Sequence, residues 1–182
     1  PSIDLTFFVS ILKGDKMDLV IQKSVELGVK NIVPFISKNT VVRLDEKGKC
    51  KKRDKYQIIA NEACKQCGRT DMVNVLDIIN LDLSLLDMLS EFDICIFAYE
   101  NEKNKNSLHE VMEVAKKKNY KKIAMIIGPE GGFTQDEASD IKSNDKCECV
   151  SLGSRILRAE TAAINLMSVV MYELDNGEVE NN

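Results

Sequence analysis

Two glycine-rich stretches in the second half of the 182-residue chain carry the residues best suited to hold a ligand. The first, Gly128-Pro129-Glu130-Gly131-Gly132, stops the apolar run Ile123-Ala124-Met125-Ile126-Ile127. The second, Leu152-Gly153-Ser154-Arg155-Ile156-Leu157-Arg158, follows another strand-like run and precedes a helical segment. A short apolar run ended by a glycine turn and followed by a helix start is how α/β proteins build a ligand loop at the carboxyl end of a strand. Glycine has no Cβ, so the main chain at Gly128, Gly131, Gly132 and Gly153 is open to a flat ligand. Recognition of that kind suits a purine or a folded cofactor better than a sugar.

Common alternatives are missing. No G-x-G-x-x-G follows a strand and no G-x-x-x-x-G-K-[ST] occurs, which demotes dinucleotide-binding and P-loop chemistry. The single histidine, His109, falls in the first turn of a polar helix and reads as a surface residue, which removes Ser/His/Asp and Cys/His nucleophilic catalysis. Six cysteines without an export signal read as reduced thiols and point to a cytoplasmic address. Cys64-x-x-Cys67 and Cys147-x-Cys149 could offer four thiolates, but the first pair lies inside a helical pattern with no knuckle turn, so no metal is expected. No apolar run is long enough to span a bilayer, and no membrane partner is expected.

The two stretches IGPEGGFTQDE (Ile127 to Glu137) and LGSRILRAETAA (Leu152 to Ala163) resemble the cofactor loops of the RsmE family of 16S ribosomal RNA uridine-N3 methyltransferases, within the SPOUT superfamily. KGDKMDLVIQKSVELGV (Lys13 to Val29) and EACKQCGR (Glu62 to Arg69) agree with the same family, in the same order. The resemblance runs from about Leu5 to Leu174 and is weakest between Asp71 and Asn119 and after Asp175.

That resemblance implies a single SPOUT methyltransferase domain over residues 1–182, its mostly parallel sheet covered by helices on both faces, with a deep trefoil knot at the carboxyl end. Family members carry an RNA-binding barrel ahead of this domain; the chain starts at Pro1 and is expected to be a piece without it. S-adenosylmethionine is the implied cofactor, held bent between the two glycine loops, and two subunits pair around the knot. The expected cofactor contacts are Ile127, Gly128, Glu130, Gly131, Leu152, Gly153, Ile156, Leu157, Arg158 and Thr161, with Ala98 and Tyr99 from the end of an earlier strand. Methyl transfer to a uridine N3 needs its proton removed and the charge on the ring stabilised. Arg158 stays protonated and suits the second task; Glu160 and Glu130 are the nearby carboxylates for the first, with Arg158 and Glu160 taken as the catalytic pair. Small-subunit ribosomal RNA is the implied partner, met by Arg43, Arg69 and Arg155. Arg69 has a second reading, a cation placed at a helix C-terminus. Another SPOUT enzyme with a different RNA target, or a noncatalytic RNA-binding assembly factor, are the alternatives.

The rest of the chain must position these loops. Leu5 to Leu12 reads as a first strand, Asp15 as an N-cap with Asp18 three residues on, and Met17, Val20, Ile21, Ser24 and Val25 as the buried face of a helix stopped by Gly28. Asn31 to Ile36 reads as a strand whose Pro34 marks an edge or bulge. Lys38 to Lys55 reads as an excursion carrying a basic run, followed by a helix from Arg53 to Cys67. Val73 to Ile79 reads as a strand, Leu81 to Ser90 as a helix, Asp93 to Ala98 as a buried strand, and Asn101 to Asn106 as a mobile polar loop. Ser107-x-x-Glu110 and Thr134-x-x-Glu137 are capping boxes. Cys147 to Leu152 is the last strand and Thr161 to Leu174 the last helix, with Ala162, Leu166, Val169, Val170 and Met171 as its apolar face.

The chain is 44% hydrophobic and 30% charged, enough apolar content for one domain with a sizeable core. Its net charge of −4 gives no general attraction to phosphate, so RNA contacts must come from a local patch. Lys47, Lys49, Lys51, Lys52, Arg53 and Lys55, flanked by Arg43 and Arg69, form the one candidate; the competing reading is a solvated face.

Overall fold

The computed structural model describes residues 2–99 and 106–175. The expected Asn101–Asn106 loop lies, except for Asn106, outside the described residues, as does Glu100. Among the described residues, eight strands and six helices follow in order: β1 (Asp4–Ser10), α1 (Lys16–Glu26), β2 (Asn31–Ile36), α2 (Glu46–Cys67), β3 (Asn74–Val75), β4 (Ile79–Asn80), α3 (Leu83–Leu89), β5 (Ile94–Ala98), β6 (Asn106–Ser107), α4 (Leu108–Lys117), β7 (Lys122–Ile127), α5 (Gln135–Lys142), β8 (Cys147–Ser151) and α6 (Ala159–Leu174). They form one sheet in the order β3-β2-β1-β7-β5-β8-β6, with β4 also on β2, and every pairing is parallel.

Alternation along the central strands sorts residues to two apolar layers. Leu5, Phe7 and Val9 of β1 and Ile123, Met125 and Ile127 of β7 join one layer with the buried faces of α1, α2, α4 and α6. Phe8, Ala124 and Ile126 face the other way, toward Leu85 and Leu89 of α3 and Ala138 and Ile141 of α5. Each fully buried large side chain in these layers contributes on the order of 1.5–3 kcal/mol. The α/β class, the parallel sheet and the helices on both faces are therefore as the sequence implied.

Several local readings needed correction. Asp15 is already helical and makes no side-chain cap, while Asp18 is drawn to Lys55 Nζ of α2 at 2.7 Å. The basic run is not an excursion: α2 begins at Glu46, because Asp45 in extended conformation accepts the Gly48 N–H at 2.7 Å and caps the helix there. Val73 to Ile79 yields only the two short strands β3 and β4. Pro34 is within the sheet, paired with Val9, but it falls between the pairings of β2 with β3 and with β4, where no ladder bond is lost to its missing N–H. The last helix starts two residues earlier than expected, and its buried face is Ala163, Leu166, Met167, Val170, Met171 and Leu174, with Ala162 and Val169 only half-buried. Both capping boxes form. His109 is exposed in the first turn of α4.

Candidate functional site

A parallel sheet brings the carboxyl ends of its strands to one edge. There the turn after β1, the end of β5, the glycine turn after β7 and the loop after β8 surround a cavity of about 370 Å³. Ala98, Tyr99, Ile127, Gly128, Glu130, Leu152, Gly153, Ile156, Leu157 and Arg158 line it, together with Arg155. Gly131 and Thr161 do not. Gly131 instead backs onto Asn39, whose Cβ would lie 3.1 Å from a Cβ added at Gly131.

The first glycine turn is held from three sides. Gly132 N–H closes it on Pro129 O at 2.9 Å. Behind it, the Asn39 amide donates to Gly131 O at 3.3 Å and Gly132 O at 3.1 Å. Beneath it, Phe133 stacks on Phe35 and meets Phe97 edge-on, and Phe97 in turn stacks on Tyr99 at 5.4 Å. Phe133 sits so close that a Cβ at Gly128 would meet its Cε2 at 2.5 Å, so this position has to be glycine while the ring stays in place. Glu137, buried in the first turn of α5, accepts from Thr134 N–H at 2.9 Å and from Lys38 N–H at 2.8 Å, tying the segment that bears Asn39 to the helix after the turn.

The second loop is built differently. Gly153 has φ of +116°, a backbone state that L side chains rarely adopt, and a Cβ there would meet nothing within 4 Å. Ser151 Oγ exchanges contacts of 3.3 Å with Gly153 N–H and O. Beyond Gly153 the side chains of Arg155, Ile156 and Arg158 are exposed, Ile156 to 84%. Arg158 caps α6 through its backbone only, accepting from Ala162 N–H.

Three charges meet at the mouth between the loops. Glu130 Oε1 accepts from Lys13 N–H at 3.0 Å and from Lys16 Nζ at 3.4 Å. Desolvation pulls the Glu130 carboxyl up, but its own backbone N–H, that of Lys13 and the Lys16 ammonium outweigh it and hold the group below the usual glutamate range. Glu160, in the first turn of α6, is outside the cavity wall; its Oε2 lies 3.9 Å from Lys16 Nζ, is buried, and has no hydrogen-bond partner among the described residues.

The three arginines expected to meet RNA separate. Arg155 is at the cavity; Arg43 is exposed ahead of α2. Arg69 reaches back to a different helix from the one it follows: Nη1 donates to Val25 O at 2.9 Å and Val29 O at 2.8 Å at the end of α1, and the guanidinium pairs with Asp71. With 11% of its side chain exposed, Arg69 ties α1 to the end of α2. Of the basic run, Lys49, Arg53 and Lys55 are paired with acids of their own chain. Among the described residues, no group of three or more His, Cys, Asp or Glu is placed to hold a metal, and no helix is long and apolar enough to cross a membrane.

Sequence reasoning missed Lys16, Asn39 and Phe133. Lys16 had a usable signal, since it directly follows the Lys13-Gly14-Asp15 turn at the same carboxyl edge as the glycine loops.

Similarity to known proteins agrees with this geometry. The family model described as an RNA methyltransferase domain matches residues 1–171. The ribosomal RNA small subunit methyltransferase E of Bacillus subtilis is 34% identical over 164 residues, 90% of this chain and 63% of that protein. The protein of the same name from Mesomycoplasma hyopneumoniae is 33% identical over 92% of this chain and 69% of its own length. The chain thus spans about two thirds of such relatives. Among solved structures, a ribosomal RNA small subunit methyltransferase E from Neisseria gonorrhoeae bound to S-adenosyl methionine superimposes with a TM-score of 0.81 at 35% identity, covering 93% of this chain and 66% of that one. The glycine turns, the cavity between them and these likenesses lead to one assignment: the chain belongs to the RNA methyltransferase domain family and, within it, to the small subunit methyltransferase E group.

Proposed function

We propose that the chain binds S-adenosylmethionine between its two glycine loops and methylates N3 of a uridine in 16S small-subunit ribosomal RNA. The observation that carries this reading is the cavity itself, walled on two sides by main chain at Gly128 and Gly153 and floored by Ile127, Leu157 and Tyr99. The Gly153 backbone faces open space, which fits a cofactor recognised through peptide groups. The relatives named above, and the Neisseria gonorrhoeae structure with its bound S-adenosyl methionine, support the same choice.

When bound, the cofactor supplies an electrophilic methyl group, and the chain's task is to position an acceptor and manage charge. Arg158, exposed at the mouth with no ion pair among the described residues, offers guanidinium donors to an oxygen of the uracil ring as negative charge grows on it. Glu160 is the proton acceptor in this scheme; its Oε2 has an unused lone pair but lies buried outside the cavity wall, so the side chain has to turn toward the cavity to take that role. Glu130 serves it poorly, because two donors, Lys13 N–H and Lys16 Nζ, already occupy its Oε1. Arg155 and Arg43 are the proposed RNA contacts, one at the cavity and one on the approach to α2.

The trefoil knot, the homodimer and a cytoplasmic location belong to the same proposal. Support for the knot is the return of α6 onto α1, α4 and β7 after β8 has paired with β5. Support for the dimer is exposed apolar surface, Ile156 at the cavity at 84% and Tyr172 toward the far end of α6 at 86%. Incubation with methyl-labelled S-adenosylmethionine and small-subunit RNA, followed by nucleoside analysis, should yield 3-methyluridine. Label on transfer RNA alone, or on no RNA, would overturn the assignment.

A further inference from the structure

We infer that the first ten residues of α2 form a basic shelf that holds phosphates of the RNA strand entering the cavity, an assignment that rests on the RNA-methylation reading above. Two contacts place the shelf. Lys55 Nζ is 2.7 Å from Asp18 Oδ2 near the start of α1, and Arg69, just past the end of α2, donates to the carbonyls of Val25 and Val29 at the end of α1. The two helices therefore run side by side in the same direction. α1 begins at Lys16, on the sheet edge that carries the cavity, whereas α2 begins nine residues ahead of Lys55. With a rise of about 1.5 Å per residue, the first two turns of α2 extend roughly 10 Å past the start of α1 and so beyond that edge. The chain leads there directly from the cavity rim. Asn39 donates to the carbonyls of Gly131 and Gly132, and Lys47 follows eight residues later, no more than about 29 Å away.

The core makes no use of this overhang. The buried side chains of α2 are Tyr56, Ala60 and Ala63, so Glu46 to Lys55 add none. Its composition also works against a helix: Gly48 is a poor helix former, and Lys47, Lys49 and Lys51 bring positive charge to the end where the backbone dipole is already positive. Stability alone would put acids there. From Arg43 to Lys55 the chain instead carries seven cations against three acids, although its net charge is −4. All three acids are engaged, Asp45 as the helix cap, Glu46 with Lys49 and Asp54 with Arg53. Lys55 is held by Asp18, and Lys52 lies over the Tyr56 ring. Arg43, Lys47 and Lys51 remain exposed, with no ion pair among the described residues. Lys47 and Lys51, four residues apart, share one face of the helix. Exposed cations in a row, unanswered by any acid and without a pocket between them, match a phosphate backbone, which is gripped through charge and carries no sequence information.

The test removes two charges from each edge of the sheet in turn. Lys47→Gln with Lys51→Gln neutralises the shelf; Lys65→Gln with Lys117→Gln removes two exposed lysines from the last turns of α2 and α4, at the opposite edge. Binding of a small-subunit RNA transcript to the full chain is measured across about 50–200 mM salt, with calorimetric affinity for S-adenosylmethionine and melting temperature alongside. The shelf pair should weaken RNA binding roughly tenfold at the low-salt end and reduce the slope of log affinity against log salt by about 1.5. Cofactor affinity should stay within about threefold, and the melting temperature should hold or rise, since the lost charges opposed the helix dipole. Lys47→Arg with Lys51→Arg should bind RNA as wild type does, and the Lys65 and Lys117 pair should leave the salt slope unchanged. Equal losses from both glutamine pairs, or a slope unmoved by the shelf pair, would overturn the inference. If the shelf pair weakens RNA binding but wild type methylates no RNA, the shelf stands as an RNA contact and the methyl-transfer reading falls.

Discussion

The two glycine loops face one cavity but are built on opposite principles. The turn after β7 is braced by Asn39 behind, Phe133 beneath, Lys13 and Lys16 on Glu130, and a capping box that opens α5. The loop before α6 has one serine contact near Gly153 and then three exposed side chains in Arg155, Ile156 and Arg158. A braced turn has its main-chain groups fixed before a ligand arrives, which lowers the ordering cost of binding. An open loop keeps its charged and apolar side chains available to something larger. On the proposed reading, cofactor recognition falls mainly to the first loop and the meeting with RNA or a second subunit mainly to the second.

Breaking the braced loop should have the largest effect. Gly128→Ala drives a methyl into the Phe133 ring, and overpacking of this kind costs about 1–3 kcal/mol. Cofactor affinity, read by calorimetry, should fall at least about tenfold, with a melting temperature lower by several degrees; Phe133→Leu in the same chain should recover part of both. An unchanged affinity would mean that the turn is not where the ligand sits. Next comes Arg158→Ala in the open loop. Turnover should drop by roughly 100-fold while cofactor affinity and melting temperature hold, as for loss of a donor aimed at developing charge. Equal losses in turnover and affinity would move Arg158 into the cofactor pocket.

A pH series sharpens the contrast further. The Glu130 carboxyl is held below its ordinary value, so its contribution to stability is fully present above the unfolded-state value and is lost as pH falls through the folded-state value. The gap in melting temperature between wild type and Glu130→Gln should therefore be widest above the ordinary glutamate range and should close on acidification. A gap that widens instead would show that the hydrogen bonds to Lys13 and Lys16 do not stabilise the ionised group. Smallest of all, Ile156→Ser should leave the melting temperature of the monomer within about 1 °C, since the side chain is 84% exposed, yet it should weaken self-association measured by sedimentation. No change in association would remove Ile156 from the proposed dimer face.

Much of the frame was legible in the sequence because it depends on local pattern. The alternation in Leu5 to Val9 and Ile123 to Ile127, the 3.6-residue spacing from Met17 to Val25, and the boxes at Ser107 and Thr134 are each set by neighbours a few residues apart. The start of α2 was missed because a basic, polar segment reads as a loop until Asp45 is recognised as its cap. The bracing of the first loop was not legible. Asn39 meets Gly131 across 92 residues of chain, and Glu137 meets Lys38 across 99. Arg69 shows the same limit from the other side. Its charge was visible, but only the fold reveals that the carbonyls of Val25 and Val29 already hold it.

The central claim is that a methyl donor lodges between the two loops, and amide NMR of the chain titrated with S-adenosylmethionine tests it most directly. Shifts concentrated at residues 127–133 and 152–158, saturating at one ligand per chain, are the predicted result. Saturation without shifts in either segment, or shifts gathered at Asp93, Glu110 and Glu148, which line a groove at the amino ends of β5 and β8, would contradict it.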